Sequence, residues 1–181
     1  MPVHPSWYRE DTREQFAAVF EKHSDELFRH CHMRLSDRER ALELTQETFL
    51  RAWEYVARGE EIRQWRAFLY RVLNNLIVDE YRKHTTDSLD ALLEKEETQL
   101  ALEGTLLRDE VDALEDAMVR FDSAHAMAAL AKLPEPHRAV LVYRYIDGLS
   151  PKEIAQCMQE SENTVSVRIH RGLKKLRAML E

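Results

Sequence analysis

Apolar residues recur every three or four positions along most of this chain, which is the spacing of one face of an α-helix. In the first part, the pattern predicts helices over about 12–35, from Asp37 to Gly59, and from near Gln64 to about 84. Asp37 is placed to cap the second helix, and Gly59 to end it. The predicted inward face of that helix carries Ala41, Leu44, Phe49, Leu50, Ala52, Trp53 and Val56. Three such helices joined by short polar loops can bury one core.

Helices are predicted again from Ala124 onward. The first covers 126–133 and is stopped by Pro134, because proline lacks the N–H that a helix interior needs. The second covers 136–146. With two later helices they can form a second small helical unit.

The segment 147–180 has the pattern of a helix-turn-helix. Ser150, Pro151 and Glu153 supply a complete helix start, with a hydroxyl cap, a proline in the first position and a carboxylate three residues after the cap. After a short turn, the second helix is predicted to begin near Ser161 and Thr164. Its apolar stripe is Val165, Ile169, Leu173, Leu176 and Leu180, and its other faces carry Arg168, His170, Arg171, Lys174, Lys175 and Arg177.

Between the two units, 85–123 has a different composition, with 12 acidic and 3 basic residues. Its first half reads as a linker with weak helical tendency. Its second half has an amphipathic helical pattern made by Leu107, Val111, Leu114, Met118 and Phe121. That stripe could pack on either unit or bind a partner protein.

The composition favours an all-α protein, because only 4 glycines and 5 prolines occur and β-branched runs are scarce. Two widely spaced cysteines, Cys31 and Cys157, indicate a reducing cytosol and no disulfide framework. No apolar signal region stands in the first 11 residues and no segment reaches the length of a membrane span, so neither secretion nor a membrane span is expected.

The net charge of −7 is unevenly distributed. The acidic middle segment accounts for all of it, whereas 164–181 holds 5 Lys or Arg against 1 acid. An acidic protein that concentrates positive charge on one terminal helix is predicted to present that helix to phosphates. The alternative is that the basic face of this helix is simply solvent-exposed and binds nothing.

Histidine and cysteine cluster at His30, Cys31 and His32, with His23 two turns earlier. Neighbouring helix positions point about 100° apart, so the three adjacent side chains cannot converge on one ion. No Cys-x-x-Cys spacing occurs, and metal binding is not expected. The chain also lacks a Gly-rich phosphate loop, a nucleophile elbow and a convincing acid–base pair, so neither an enzyme nor a cofactor is predicted.

Several motifs in sequence order carry a family resemblance. Residues 41–53 read ALELTQETFLRAW, and residues 66–79 read RAFLYRVLNNLIVD, followed by Arg82 and Lys83. Later come LPEPHRAVL at 133–141, DGLS at 147–150, EIA at 153–155, TV at 164–165 and RIHR at 168–171. In their order and separation they resemble a sigma factor of the sigma-70 family, of the extracytoplasmic-function (ECF) group. The pattern Q-E-x-F-x-x-A-W closes the first motif.

The resemblance implies an all-α protein with two small domains joined by an acidic, partly helical linker. These are an N-terminal extension at 1–11, a sigma-2 domain at 12–84, the linker at 85–123 and a sigma-4 domain at 124–181. The implied function is to bind core RNA polymerase in the cytoplasm and direct promoter recognition and transcription initiation. Promoter DNA and an anti-sigma factor are the other implied partners.

The resemblance also implies residue roles. The polymerase contact would be made by Gln46, Glu47 and Arg51. Melted bases of the minus-ten element would be held by Tyr70, Asn74, Asn75, Asp79, Arg82 and Lys83. Duplex DNA of the minus-thirty-five element would be contacted by Ser166, Arg168, His170, Arg171, Lys174 and Lys175. Spacing alone would favour Tyr70 and Trp65 as core or rim residues, and Gln46, Glu47 and Arg51 as part of a wet helix face.

The chain departs from the family pattern in the helix-turn-helix turn. Gln159 and Asn163 stand where glycine is frequent, and Glu160 stands where an apolar residue is common. A looser or differently shaped turn is therefore one expectation. Phe68 occupies the position of the family's tryptophan.

Other interpretations stay open at this point. A conventional helix-turn-helix regulator would dimerise on a palindrome and bind without polymerase. A helical adaptor would instead bind a partner through the stripe between Leu107 and Phe121. The acidic linker could occupy a positively charged RNA channel of polymerase, or it could serve only as a solvating tether.

Overall fold

A computed structural model describes residues 10–84 and 123–180. Within those two ranges every regular element is a helix, which confirms the predicted all-α class. The predicted acidic linker, apart from Ser123, and all of its amphipathic stripe lie outside the described residues. The chain divides into two compact units between Glu80 and Tyr81.

The first unit contains α1 at Glu10–Leu35, α2 at Arg38–Ala57 and, as far as Glu80, α3 at Trp65–His84, with bounds close to those predicted. Asp37 caps α2 as expected, because its side chain accepts a hydrogen bond of 3.0 Å from the backbone N–H of Arg40. Gly59 follows α2 with φ of 89°, a left-handed conformation that glycine adopts at little cost.

The core of the first unit forms where α1 packs on α2. The Phe16 ring meets Phe49, Trp53 and Trp65 edge-on, with centroids 5.1–6.4 Å apart. Edge-to-face geometry sets the positive rim of one ring against the negative face of another. The aromatic contacts thus join all three helices at one end of the unit.

Polar side chains fasten α3 to the other two helices. Arg40 grips Glu80 through two hydrogen bonds, from Nε to Oε1 at 2.8 Å and from Nη2 to Oε2 at 2.6 Å. The buried Arg34 of α1 donates to the amide oxygen of Asn74 at 2.8 Å. Such charge-assisted bonds are directional, so they fix the rotation of α3 about its own axis.

The inward face of α2 differs from the prediction at three positions. Leu50 is 52% exposed, whereas Thr45 and Thr48 are buried. Each threonine hydroxyl donates to the carbonyl four residues earlier, at 2.7 and 2.8 Å, which satisfies its polar group without any tertiary partner. Those hydrogen bonds allow both threonines to be buried. Leu50 lies on the outward face of α2.

The second unit comprises α4 at Ser123–Lys132, α5 at Glu135–Leu141, α6 at Pro151–Met158 and α7 at Glu162–Leu180. Helix α7 packs on the other three. Gly172 lies at its close approach to α5, where an added Cβ would come within 3.2 Å of the Leu141 side chain. A larger residue at 172 would therefore push the two helices apart.

The predicted single helix over 136–146 is an α-helix that widens into a π-helical turn at Val142–Ile146. The N–H of Asp147 bonds the carbonyl of Val142 at 3.1 Å, five residues earlier. A π turn adds one residue to a helical turn. The side chains around it stay apolar, so the spacing of apolar residues in the sequence does not reveal it. Gly148 then turns the chain with φ of 70°.

Candidate nucleic-acid interface

The start of the helix-turn-helix has the predicted geometry. The Ser150 hydroxyl accepts from the N–H of Glu153 at 3.3 Å, while the Glu153 carboxylate accepts from the N–H of Ser150 at 2.8 Å. Two N–H groups at the start of α6 are satisfied in this way. The capping box confirms the predicted helix start.

The turn between α6 and α7 consists of residues 159–161. Gln159 takes the left-handed conformation, with φ of 59° and ψ of 41°, so the geometry that glycine favours is kept without glycine. Ser161 caps α7, its hydroxyl accepting from the N–H of Thr164 at 3.0 Å. Asn163 lies in the first turn of α7, where no left-handed residue is needed.

The outward face of α7 presents polar and basic side chains at helical spacing. Lys174 and Arg177 are exposed, and Ser166, His170 and Arg171 are half-buried. Steps of three and four residues place Ser166, His170, Lys174 and Arg177 in one row, which we call the α7 row. A row of this kind is what a recognition helix lays into the major groove.

Arg168 does not belong to the α7 row. Only 9% of it is exposed, and its Nη1 donates to the carboxylate of Glu160 at 2.6 and 2.8 Å. The prediction that Arg168 contacts DNA is therefore corrected: its guanidinium is held against the turn. The carboxylate comes from Glu160, the turn residue at which the sequence analysis noted a departure from the family pattern.

Lys175 is also directed inward. Its ammonium lies 2.9 Å from Nε2 of His137, a buried side chain on α5. Lysine has only donors, so the imidazole nitrogen is the acceptor. The predicted DNA contact of Lys175 stays a prediction, and Lys174 and Arg177 are the exposed cations in this half of α7.

Helix α3 separates its predicted base-contacting residues into two groups. Asn75, Asp79, Arg82 and Lys83 are exposed, together with Arg71 one turn before Asn75. We call the row Arg71, Asn75, Asp79 and Arg82 the α3 row. It combines amide, carboxylate and guanidinium groups on one side of the helix.

Tyr70 and Asn74 lie on the opposite side of α3, and the prediction that they contact bases is corrected. Tyr70 has no exposed surface, its ring meeting His30 edge-on at 5.2 Å and lying 5.4 Å from the Arg66 guanidinium. Asn74 accepts from Arg34 inside the unit. Both residues pack inside the unit, against α1, on the side of α3 opposite the α3 row.

The outward face of α2 contains the predicted polymerase contacts. Gln46 and Arg51 are exposed, and Glu47 binds Arg51 at 2.8 Å. Leu42 and Leu50 flank Gln46 at steps of four and are about half exposed. Sequence analysis missed Leu42, although its spacing from Gln46 was a usable signal. An apolar pair within a polar rim is typical of a protein–protein interface.

No group of three histidine, cysteine or acidic side chains within 10–84 and 123–180 is arranged to hold a metal ion. Burial raises the pKa of the Cys31 thiol to about 12, which keeps it protonated and unreactive at neutral pH. In the same part of the chain, no helix is both long and apolar enough to cross a membrane.

Comparison with known proteins agrees with this geometry. The family model for sigma-70 region 2 matches residues 19–86, and the model for sigma-70 region 4 matches residues 126–176. The ECF RNA polymerase sigma factor SigW of Bacillus subtilis is 32% identical over 174 residues, covering 93% of this chain and 90% of that protein. SigL of Mycobacterium tuberculosis, another ECF factor, is 32% identical over 169 residues, covering 91% and 88%.

A solved structure has the same fold. The sigma factor RpoE from Bartonella quintana, crystallised in complex with the anti-sigma factor NepR, aligns with a TM-score of 0.62 at 17% identity and covers 95% of this chain and 98% of that one. The chain belongs to the sigma-70 family of RNA polymerase sigma factors. Within that family it is an ECF sigma factor.

Membership of this family establishes the chain as a transcription initiation factor rather than an enzyme. It directs promoter recognition by RNA polymerase. A conventional helix-turn-helix regulator is not favoured, because the region 2 match falls on the first unit, which such a regulator does not need.

Proposed function

We propose that three outward helix faces of this sigma factor each bind a different target. The α2 face with Gln46, Glu47 and Arg51 binds core polymerase. The α3 row holds melted bases of the minus-ten element, and the α7 row lies in the duplex of the minus-thirty-five element. The sigma-2 domain then spans 12–84 and the sigma-4 domain 124–181, with the acidic linker between them.

The observation that carries this proposal is the α7 row. A helix-turn-helix with a complete capping box presents a row of polar and cationic side chains on a helix whose other face is buried. Residues in the N-terminal half of a recognition helix reach base edges, and arginine can bind guanine with two hydrogen bonds. Arg171, which lies beside the α7 row directly after His170, is therefore assigned to base contact. Within the row, Lys174 and Arg177 are assigned to phosphate.

The α3 row supplies groups suited to single-stranded DNA. An exposed amide such as Asn75 can donate to and accept from a base edge, and Arg71 and Arg82 can follow the sugar–phosphate backbone. Held by Arg34, Arg40 and their partners, α3 presents these groups without reorganising. Capture of bases after strand separation stabilises the melted state, so binding energy is converted into promoter opening.

Polymerase binding is assigned to the α2 face because it joins an apolar pair to hydrogen-bonding groups. Leu42 and Leu50 provide buried area on docking, and Gln46 provides orientation. We further propose a cytoplasmic location with polymerase, and control by an anti-sigma factor, as in the complex of the Bartonella protein.

Arg171→Ala tests the α7 assignment. We expect the holoenzyme to bind a promoter selected from a random library about tenfold more weakly, while core polymerase binding is unchanged. Lys132→Ala is the matched control, because it removes one exposed cation of the same unit outside the helix-turn-helix. Equal affinities of the Arg171 variant, the control and the wild type would contradict the assignment.

Gln46→Ala combined with Glu47→Ala tests the α2 assignment by the reverse pattern. Core binding, measured by fluorescence anisotropy with labelled sigma factor, should weaken about tenfold, because two polar groups of one interface are lost. Minus-thirty-five recognition by the complex that still forms should be normal. Unchanged core binding would exclude this face as the polymerase contact.

A further inference from the structure

The ion pair between Glu160 and Arg168 connects the turn of the helix-turn-helix to the helix that follows it. Both carboxylate oxygens of Glu160 lie within 2.8 Å of Nη1 of Arg168. The two side chains are only 27% and 10% exposed. The carboxylate thus closes a bridge over eight residues, across the start of α7.

The direction of the arginine side chain follows from helix geometry. Long side chains on a helix lean toward its N-terminus, so a residue in the second turn of α7 reaches back over the first turn. Arg168 uses that reach to bind the turn, while Arg171 lies almost one helical turn further along. The guanidinium is therefore occupied on the protein side of the helix.

We propose that Glu160 and Arg168 are positioning residues, which set α7 against α6 so that the α7 row meets DNA in register, without themselves touching DNA. The inference rests on the proposed function of α7. It assigns a role to the one turn residue that departs from the family pattern by being charged, and it changes the role predicted for Arg168.

The turn needs such a connection for a physical reason. Only residues 159–161 join the two helices, and Gln159 is held in a left-handed conformation that side chains other than glycine adopt with difficulty. A turn that relaxed to a right-handed conformation would swing α7 as a rigid body. Recognition groups must be held within about 0.5 Å of their working positions, so a small swing would be costly.

A double-mutant cycle with Glu160→Met and Arg168→Met tests the proposal. Methionine fills a similar volume, and replacing both members of a partly buried ion pair by apolar residues is often tolerated, whereas removing one member takes this partner from a charge with little access to solvent. The measurement is the affinity of the full-length holoenzyme for a promoter selected by the wild type, compared with the same promoter carrying a scrambled minus-thirty-five element.

Each single variant should lose about tenfold in affinity for the intact promoter, and the double variant should recover to within about threefold of the wild type. Glu160→Gln, which keeps an oxygen that can accept from Arg168, should fall between wild type and Glu160→Met. Core binding and affinity for the scrambled promoter should be unchanged in all four.

Two results would overturn the proposal. A double variant as weak as Arg168→Met would mean that the arginine contacts DNA directly, and wild-type affinity in both single variants would mean that the pair positions nothing. If a single methionine variant fails to fold, as judged by circular dichroism, Glu160→Gln and the double variant decide together. Wild-type affinity in Glu160→Gln, or a loss of about tenfold or more in the double variant, would then overturn the proposal.

The Arg171→Ala variant separates this inference from the proposed function. If Arg171→Ala weakens binding and the Glu160 variants do not, α7 reads DNA but the ion pair does not position it. If Arg171→Ala binds normally, the assignment of α7 itself is wrong.

Discussion

Asn74 and Asn75 are neighbours with identical side chains that face opposite sides of α3. Asn74 is buried and accepts from the fully buried Arg34, and Asn75 is exposed in the α3 row. A step of one residue turns a helix by 100°, enough to separate the interior from solvent. One of the two residues therefore stabilises the unit, and the other is available for DNA.

Alanine substitutions at the two positions should have different effects. Asn74→Ala removes an acceptor from a buried guanidinium and should lower the free energy of unfolding by about 2 kcal/mol. Asn75→Ala should leave that free energy within about 0.5 kcal/mol of wild type, as surface changes do, but weaken minus-ten binding. Denaturant unfolding and binding of a single-stranded minus-ten oligonucleotide by the holoenzyme measure both. The reverse pattern would contradict the assignment of the two faces.

Residue roles could be predicted from the sequence only for residues whose helix position places them clearly on the buried or on the exposed face. Residues near the border between two faces were the difficult cases. Tyr70 and Asn74 were predicted to be exposed, as residues that contact bases. Both are buried instead: the Tyr70 ring packs against His30, and Asn74 accepts a hydrogen bond from Arg34. Neither partner can be identified from spacing, because both lie about forty residues away on α1.

At the scale of elements, the helix ends were predictable because capping chemistry is local. Asp37 and the Ser150–Glu153 box act within three residues of themselves, so their sequence signals suffice. The pair Glu160–Arg168 and the π turn at Val142–Ile146 were not predictable. The first requires a known turn geometry, and the second leaves the apolar pattern unchanged.

The left-handed turn gives a prediction for the helix-turn-helix as an element. Gln159→Gly should raise the free energy of unfolding by about 0.5–1 kcal/mol, because glycine adopts φ near 59° with less strain, partly offset by its larger entropy loss. Gln156→Gly, an exposed position inside α6, is the matched control and should destabilise by about 1 kcal/mol. Destabilisation by both changes would show that the turn is not left-handed in solution.

At the scale of the whole molecule, charge is divided in a way that suits two DNA-binding units on one acidic chain. The net charge of −7 arises in 85–123, whereas the α3 and α7 rows place cations on exposed helix faces. Counterion release depends on the cations that meet phosphate rather than on net charge. Overall acidity is therefore compatible with promoter binding.

The central claim is that two helical units of one polymerase-bound chain read two elements of one promoter. Run-off transcription with purified core polymerase tests it most directly, using a promoter selected by the holoenzyme and two derivatives in which either the minus-ten or the minus-thirty-five element is scrambled. We predict transcripts only when this protein is added, and a loss of at least about tenfold with either derivative. Transcription that is unaffected by the protein, or by scrambling both elements in turn, would contradict the account.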